Sequence, residues 1–231
     1  MASQRTVCQS VLQRLEQAGV LGDLVLIGSW CLEGYRAYFD RKTPLTALRT
    51  RDIDFLVPRD RRIRNSIDVP ALLSDLGFIS DFQGTGYLRL IHPELIVEFL
   101  VPERGRGSDH PVRLPHLKVN AQSLRFLGML ADRTIVSTLD GVKVRMPHPA
   151  VFALHKLLIA PRRRGPAATK KAKDLEAAAA VLEALRAHGE IKLVREEFHA
   201  LPKPWRARIR QALDISPELR GWIQLLSPAD K

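Results

Sequence analysis

Cysteine is scarce in this chain: Cys8 and Cys31 are the only two in 231 residues, too few for a disulfide framework and without the paired spacing of a zinc site. A reducing compartment follows, and the expected location is the cytoplasm. Aromatic residues make up 6% of the sequence and do not interleave with its basic clusters, so a platform for stacking bases has little support. No apolar run approaches the roughly 20 residues that a membrane-spanning helix needs, so no membrane partner is expected. The polar start around Gln4, Arg5 and Gln9 lacks the apolar core of a secretory signal. Internal repeats are missing, and low complexity is confined to the alanines at 177–180. The histidines, His92, His110, His116, His148, His155, His188 and His199, show no ligand spacing.

What is present is an ordinary globular composition, 45% hydrophobic and 26% charged. The length suffices for one compact domain or for two small lobes sharing a cleft, and the pattern below favours two. Charge is less ordinary. Lys and Arg number 36 against 25 Asp and Glu, a formal net charge of +11, which points to an anionic partner: nucleic acid, a nucleoside triphosphate or an acidic surface. A merely basic, soluble surface is the plainer reading of the same number.

Apolar spacing predicts a helix over residues 7–18, a short buried strand over 24–27 that stops at Gly28-Ser29, and a helix over 30–39. A polar loop with Pro44 leads to a strand over 51–57, closed by Pro58. A helix over 69–76 ends at Gly77, and two strands, 87–91 and 95–101, form a hairpin. Residues 102–115, rich in Gly, Pro, Arg and His, read as a mobile loop. Short strands are expected at 117–119, 134–139 and 142–145. From Pro147 onward the chain reads as helical, with helices at 150–159, 172–185 and 205–212 and a basic connection over 161–173. The expected organisation is an α/β lobe over residues 1–146 and a smaller helical lobe over 147–231.

Two aspartates carry the chemistry. Asp52 and Asp54 sit two apart on a strand, so their side chains leave one face about 7 Å apart at the backbone, where they can share one ion. Ile53, Phe55 and Val57 take the other face. Adjacent carboxylates repel unless a cation neutralises them, and oxygen ligands without His or Cys suit Mg²⁺ or Mn²⁺. A third acid, Glu98, interrupts the apolar run around Val97 and Phe99, where an ionised Glu is expensive without a partner. If its strand neighbours that of Asp52 and Asp54, three carboxylates converge on one surface, as two-metal phosphoryl transfer requires. Gly28-Ser29 adds a glycine turn opening a helix, whose free amides and dipole favour phosphate; alone, the pair also reads as a plain N-cap.

The sequence resembles the nucleotidyltransferases of the DNA polymerase β superfamily. Leu26-Ile27-Gly28-Ser29 matches the strand that ends in Gly-Ser, and Arg51-Asp52-Ile53-Asp54-Phe55-Leu56-Val57 matches the Asp-x-Asp strand. Val97-Glu98-Phe99 is the match to the third acidic strand. A weaker likeness links His155-Lys156-Leu157, Arg162, Arg163 and Lys173-Asp174-Leu175 to the helical part of bacterial members related to abortive-infection and toxin-antitoxin nucleotidyltransferases. The resemblance implies a mixed sheet flanked by helices and a metal-dependent transfer of NMP from an NTP to an acceptor hydroxyl, with release of pyrophosphate. It assigns Asp52, Asp54 and Glu98 to metal binding and catalysis, Gly28 and Ser29 to the triphosphate, Lys156 to a triphosphate contact and Asp174 to organising the cleft. RNA such as a tRNA end, a protein or a small molecule would serve as acceptor, and an antitoxin would be a partner of a toxin. Two departures stand out: bulky Trp30-Cys31-Leu32 follows Gly-Ser, and the third acid is Glu rather than Asp.

Each residue also has a plainer reading. Asp52 and Asp54 fit edge-strand acids held by Arg49 and Arg51 in surface pairs of little energetic weight. Glu98 fits a buried acid paired with Arg89 across the hairpin, and Lys156 a solvated helix residue. Arg162, Arg163, Arg164, Lys170, Lys171 and Lys173 fit a phosphate-lined groove or a solvated loop. At the level of function, the competing reading is a non-catalytic basic module that binds nucleic acid on the same fold.

Overall fold

The computed structural model describes residues 3–40, 45, 50–59, 63–84, 86–105, 110–163 and 168–227. Arg49 and Arg164, named above, lie outside the described residues, as does most of the polar loop around Pro44. The chain divides into two compact units, one of Met1–Gly34 with Arg49–Pro147 and the other of Tyr35–Leu48 with His148–Lys231.

In the first unit, helix α1 (Gln4–Gln17) starts where Ser3 accepts the Thr6 amide and buries Val7, Cys8, Val11, Leu12 and Leu15. Strand β1 (Val25–Ile27) is wholly buried and leads through the Gly28-Ser29 turn into α2 (Cys31–Tyr38). Strand β2 (Asp52–Leu56) follows, then α3 (Val69–Ser74), which is capped by Asp68 accepting from the Ala71 amide at 3.0 Å. Lys118 also donates to Asp68 at 3.1 Å, and these two bonds hold that carboxyl below its ordinary range.

Strands β3 (Ile79–Phe82), β4 (Leu88–Ile91) and β5 (Ile96–Pro102) come next, with β6 (Val112–Leu114) and β7 (Val119–Leu124) after them. They form one mixed sheet in the order β1-β2-β5-β4-β3, with β7 beside the far end of β5 and β6 beside β7. β2 runs parallel to β5; β1 against β2, and β4 against β5, run antiparallel. One face is dry, because Ile53, Phe55, Val97 and Phe99 are all buried and the Phe55 and Phe99 rings stack at 5.8 Å. After the short α4 (Gly128–Asp132), β8 (Thr134–Leu139) and β9 (Val142–Pro147) make a separate hairpin.

The hairpin of residues 87–91 and 95–101 is found as read. β3 is an addition to the sequence reading, and so are β6, inside the stretch expected as a loop, and α4. The strand expected at 117–119 begins only at Val119.

The second unit is built on α5 (Pro149–Ile159), an almost wholly buried helix whose N-terminus is capped by His148, with Nδ1 accepting from the Ala150 amide at 3.2 Å. Helix α6 (Ala168–Ala187) packs along it through Ala177, Ala178, Val181, Leu182, Ala184 and Leu185, and small side chains let the two backbones approach. Lys170, Lys171 and Lys173, read as part of a connection, stand on this helix. Helices α7 (Ile191–Ala200), α8 (Lys203–Ile215) and α9 (Gly221–Leu225) complete the unit; α7 and α9 were not expected. Tyr35 meets Phe152 edge to face at 5.4 Å, and Phe39 meets His188 at 4.9 Å, so residues 35–39 belong to this core. No helix among the described residues is long and apolar enough to cross a membrane.

Candidate active site

The parallel register of β2 and β5 sets Asp54 directly beside Glu98 and Asp52 beside Ile96. Strand alternation sends Asp52, Asp54 and Glu98 to the face opposite the stacked phenylalanines. All three are half-buried. Burial raises the Glu98 carboxyl, the charge of Asp52 raises it further, and a side-chain hydrogen bond with Asp54 opposes them. Carboxyl groups set side by side repel one another when both are ionised.

On the other side of β2 the register places Ile27 beside Asp54, so the glycine turn begins where the acids are. Gly28 has φ +77°, and a Cβ there would stand 2.5 Å from Oδ2 of Asp54. Only glycine accepts both that backbone and that neighbour. Past the turn, the amides of Cys31, Leu32 and Glu33 bond the carbonyls of Gly28, Ser29 and Trp30 at 3.3, 3.1 and 3.2 Å, so the chain coils tightly into α2 immediately after Gly28.

Two residues of β4 and its approach join this face. Arg89 is the register partner of Glu98, yet its guanidinium bonds Asp81 of β3 at 2.9 Å; the ion pair formed across the hairpin is therefore not with Glu98. Tyr87 is 7% exposed, and its hydroxyl has no partner of full hydrogen-bond geometry among the described residues. Burial and the charges of Glu98 and Asp54 push that phenol well above its ordinary value. Sequence reasoning missed Tyr87 and Asp81; an aromatic two positions before Arg89 on a strand facing Glu98 was the available signal.

Among the described residues no group of three or more His, Cys, Asp and Glu stands as a formed metal cage. The donor set nevertheless fits a hard divalent cation, because it is all carboxylate oxygen and the register of β2 and β5 sets Asp54 beside Glu98.

Lys156 and Asp174 meet in the second unit. Asp174 is 3% exposed and accepts from Lys156 Nζ at 2.7 Å and from Arg163 Nε at 2.9 Å. Lys156 is thus part of a buried ion pair rather than a solvated helix residue. His155, beside them, is buried with Nε2 lacking a partner among the described residues.

A family model described as "Nucleotidyltransferase" matches residues 6–200. No curated protein matches the chain in sequence. Among solved structures, an antigenic nucleotidyltransferase-like protein from Paracoccidioides brasiliensis is similar at 16% identity and a TM-score of 0.50, over 97% of this chain and 92% of its own. ANT(2")-Ia in complex with adenylyl-2"-tobramycin aligns with 84% of this chain and 96% of its own, at 14% identity and a TM-score of 0.49. The first of these likenesses is one of fold.

Proposed function

Because the chain belongs to the nucleotidyltransferase family, we propose that it moves NMP from an NTP to an acceptor hydroxyl, releasing pyrophosphate, with Asp52, Asp54 and Glu98 as its metal-binding and catalytic acids. The observation that carries this reading is the pairing of Asp54 with Glu98 across β2 and β5, with Gly28 packed against the same aspartate.

Asp52, Asp54 and Glu98 would hold Mg²⁺ or Mn²⁺, which when bound neutralises triphosphate charge and acidifies a hydroxyl. The Gly28-Ser29 turn would hold phosphate at the N-terminus of α2, where the helix dipole favours negative charge, and the Ser29 hydroxyl would add a donor. Glu98 accepts the proton of the acceptor hydroxyl, a role suited to an acid whose proton affinity burial has raised. Lys156 would contact the triphosphate, and Asp174, its partner in a buried ion pair, would hold it in place.

The acceptor is an RNA such as a tRNA end, a protein or a small molecule, and the charge distribution favours RNA. Residues 148–231 hold 16 Lys and Arg against 9 Asp and Glu, a surplus that attracts a polyanion.

Incubating the purified protein with each labelled NTP, Mg²⁺ and total RNA or protein tests the reading. Label is expected in one acceptor class, only with metal, and not with Asp52→Ala. Nucleic-acid binding without any transfer would replace it with a non-catalytic binding module, and metal-dependent label that persists in Asp52→Ala would remove Asp52 from the catalytic acids.

A further inference from the structure

Ile27, Asp54, Glu98, Arg89 and Asp81 form one row across the sheet, each the register partner of the next, from β1 through β2, β5 and β4 to β3. Neighbours in such a row stand roughly 5 Å apart. Arg89 therefore lies between two acids, Glu98 on one side and Asp81 on the other, and within reach of both.

The arginine turns outward. Its Nη2 donates to Oδ2 of Asp81 at 2.9 Å, and Gln83 donates to the same oxygen, fixing the carboxylate that receives it. Arg89 Nε is buried and has no hydrogen-bond partner among the described residues, so one donor of the guanidinium is left unused while a carboxylate stands one strand away. A buried arginine donor next to an acid ordinarily pairs with it. The outer strand is held to β4 by its backbone ladder and buries little side chain, with Ile79 67% and Phe82 64% exposed.

We propose that Asp81 is a positioning residue for the acid cluster, holding Arg89 toward the sheet edge so that Glu98 stays available to bind a divalent cation together with Asp52 and Asp54. Without Asp81, the guanidinium swings inward and forms a bidentate pair with Glu98, replacing the cation by a fixed charge of the protein. The inference rests on the metal-binding role given above to the three acids.

Mn²⁺ binding to the full chain, followed by the loss of the free-ion electron paramagnetic resonance signal, separates the two claims. Asp52→Asn is expected to abolish binding. Asp81→Asn is expected to weaken it about tenfold, the scale of one ion pair set against a cation, and Asp81→Asn with Arg89→Met to return it to within about twofold of the native value. Arg89→Met alone binds Mn²⁺ at least as tightly as the native chain. A role of Asp81 in strand stability alone predicts no rescue by the second substitution.

Native binding that is lost in Asp52→Asn but unchanged in Asp81→Asn overturns the inference and leaves the metal site standing. A double variant as weak as Asp81→Asn overturns it too. No binding by the native chain overturns the metal site and the inference together. Should Asp81→Asn fail to fold, Arg89→Met decides, because weaker binding there contradicts the proposed competition.

Discussion

Gly28 and Asp54 share a space that holds only one side chain. A Cβ on Gly28 would lie 2.5 Å from Oδ2 of the aspartate, and the backbone there has φ +77°. Gly28→Ala therefore combines a strained left-handed residue with a displaced carboxylate, and is expected to cost about 1–3 kcal/mol and most of the transfer activity. Gly22, around which a Cβ meets nothing within 4 Å, is the control. Urea melts and transfer assays of Gly28→Ala and Gly22→Ala check this; equal stability and activity in the two variants would show that the glycine turn does not position Asp54.

Asp174 is the hub of the second unit, buried between Lys156 and Arg163. Asp174→Asn keeps the shape and removes the charge, leaving a cation buried without its partner. Breaking a buried pair in this way costs about 3–5 kcal/mol. The midpoint of urea unfolding should fall accordingly, and Asp174→Asn with Lys156→Met should recover part of the loss. A variant as stable as the native chain would mean that water already reaches both cations.

The acid pair was legible in the sequence because Asp52 and Asp54 break one face of an otherwise apolar strand, and Glu98 breaks another. Their adjacency was not. Parallel pairing of β2 with β5 is set by a register between strands 40 residues apart in order, which periodicity within each strand does not encode. β3 escaped notice for a physical reason: Ile79, Ser80 and Phe82 are exposed on an edge strand, so no alternation of burial marks it. With β3 unseen, Asp81 was unseen, and the plainer reading of Glu98 could offer Arg89 no acid other than Glu98. Helix α7 buries only Val194 and Phe198, too few apolar positions to mark a helical stripe. Tyr35 and Phe39 read as part of the first lobe because they precede the Asp-x-Asp strand, whereas their rings pack on Phe152 and His188.

Tyr38 ties its end of α2 into the second unit through a directed chain of hydrogen bonds. His148 Nδ1 accepts the Ala150 amide, so its proton sits on Nε2, which donates to the Tyr38 oxygen at 3.0 Å. The Tyr38 hydroxyl donates in turn to Glu190, at 3.1 and 3.0 Å to its two oxygens. Burial and then the Glu190 acceptor push the phenol up to about 12, which keeps that donor protonated at neutral pH. Tyr38→Phe and Glu190→Gln should each lose about 1–2 kcal/mol, and the double variant should lose less than their sum. Additive losses in urea unfolding would mean that the two groups act independently.

His155 makes the second unit sensitive to acid. Burial first, and the neighbouring charge of Lys156 next, pull its imidazole down to about 3 from the ordinary histidine value. A depressed folded value means that the unfolded chain binds the proton more readily. The stability tied to neutral His155 is thus fully present above about pH 6.5 and drains away as the pH falls toward 3. His155→Leu removes the titrating group and also the orphaned Nε2. Thermal melts from pH 7.5 to 4.5 should therefore show a steeper fall in Tm for the native chain than for His155→Leu. Parallel curves would place the acid sensitivity in the carboxylates instead, because His155 would then gain its proton without opening the core around it.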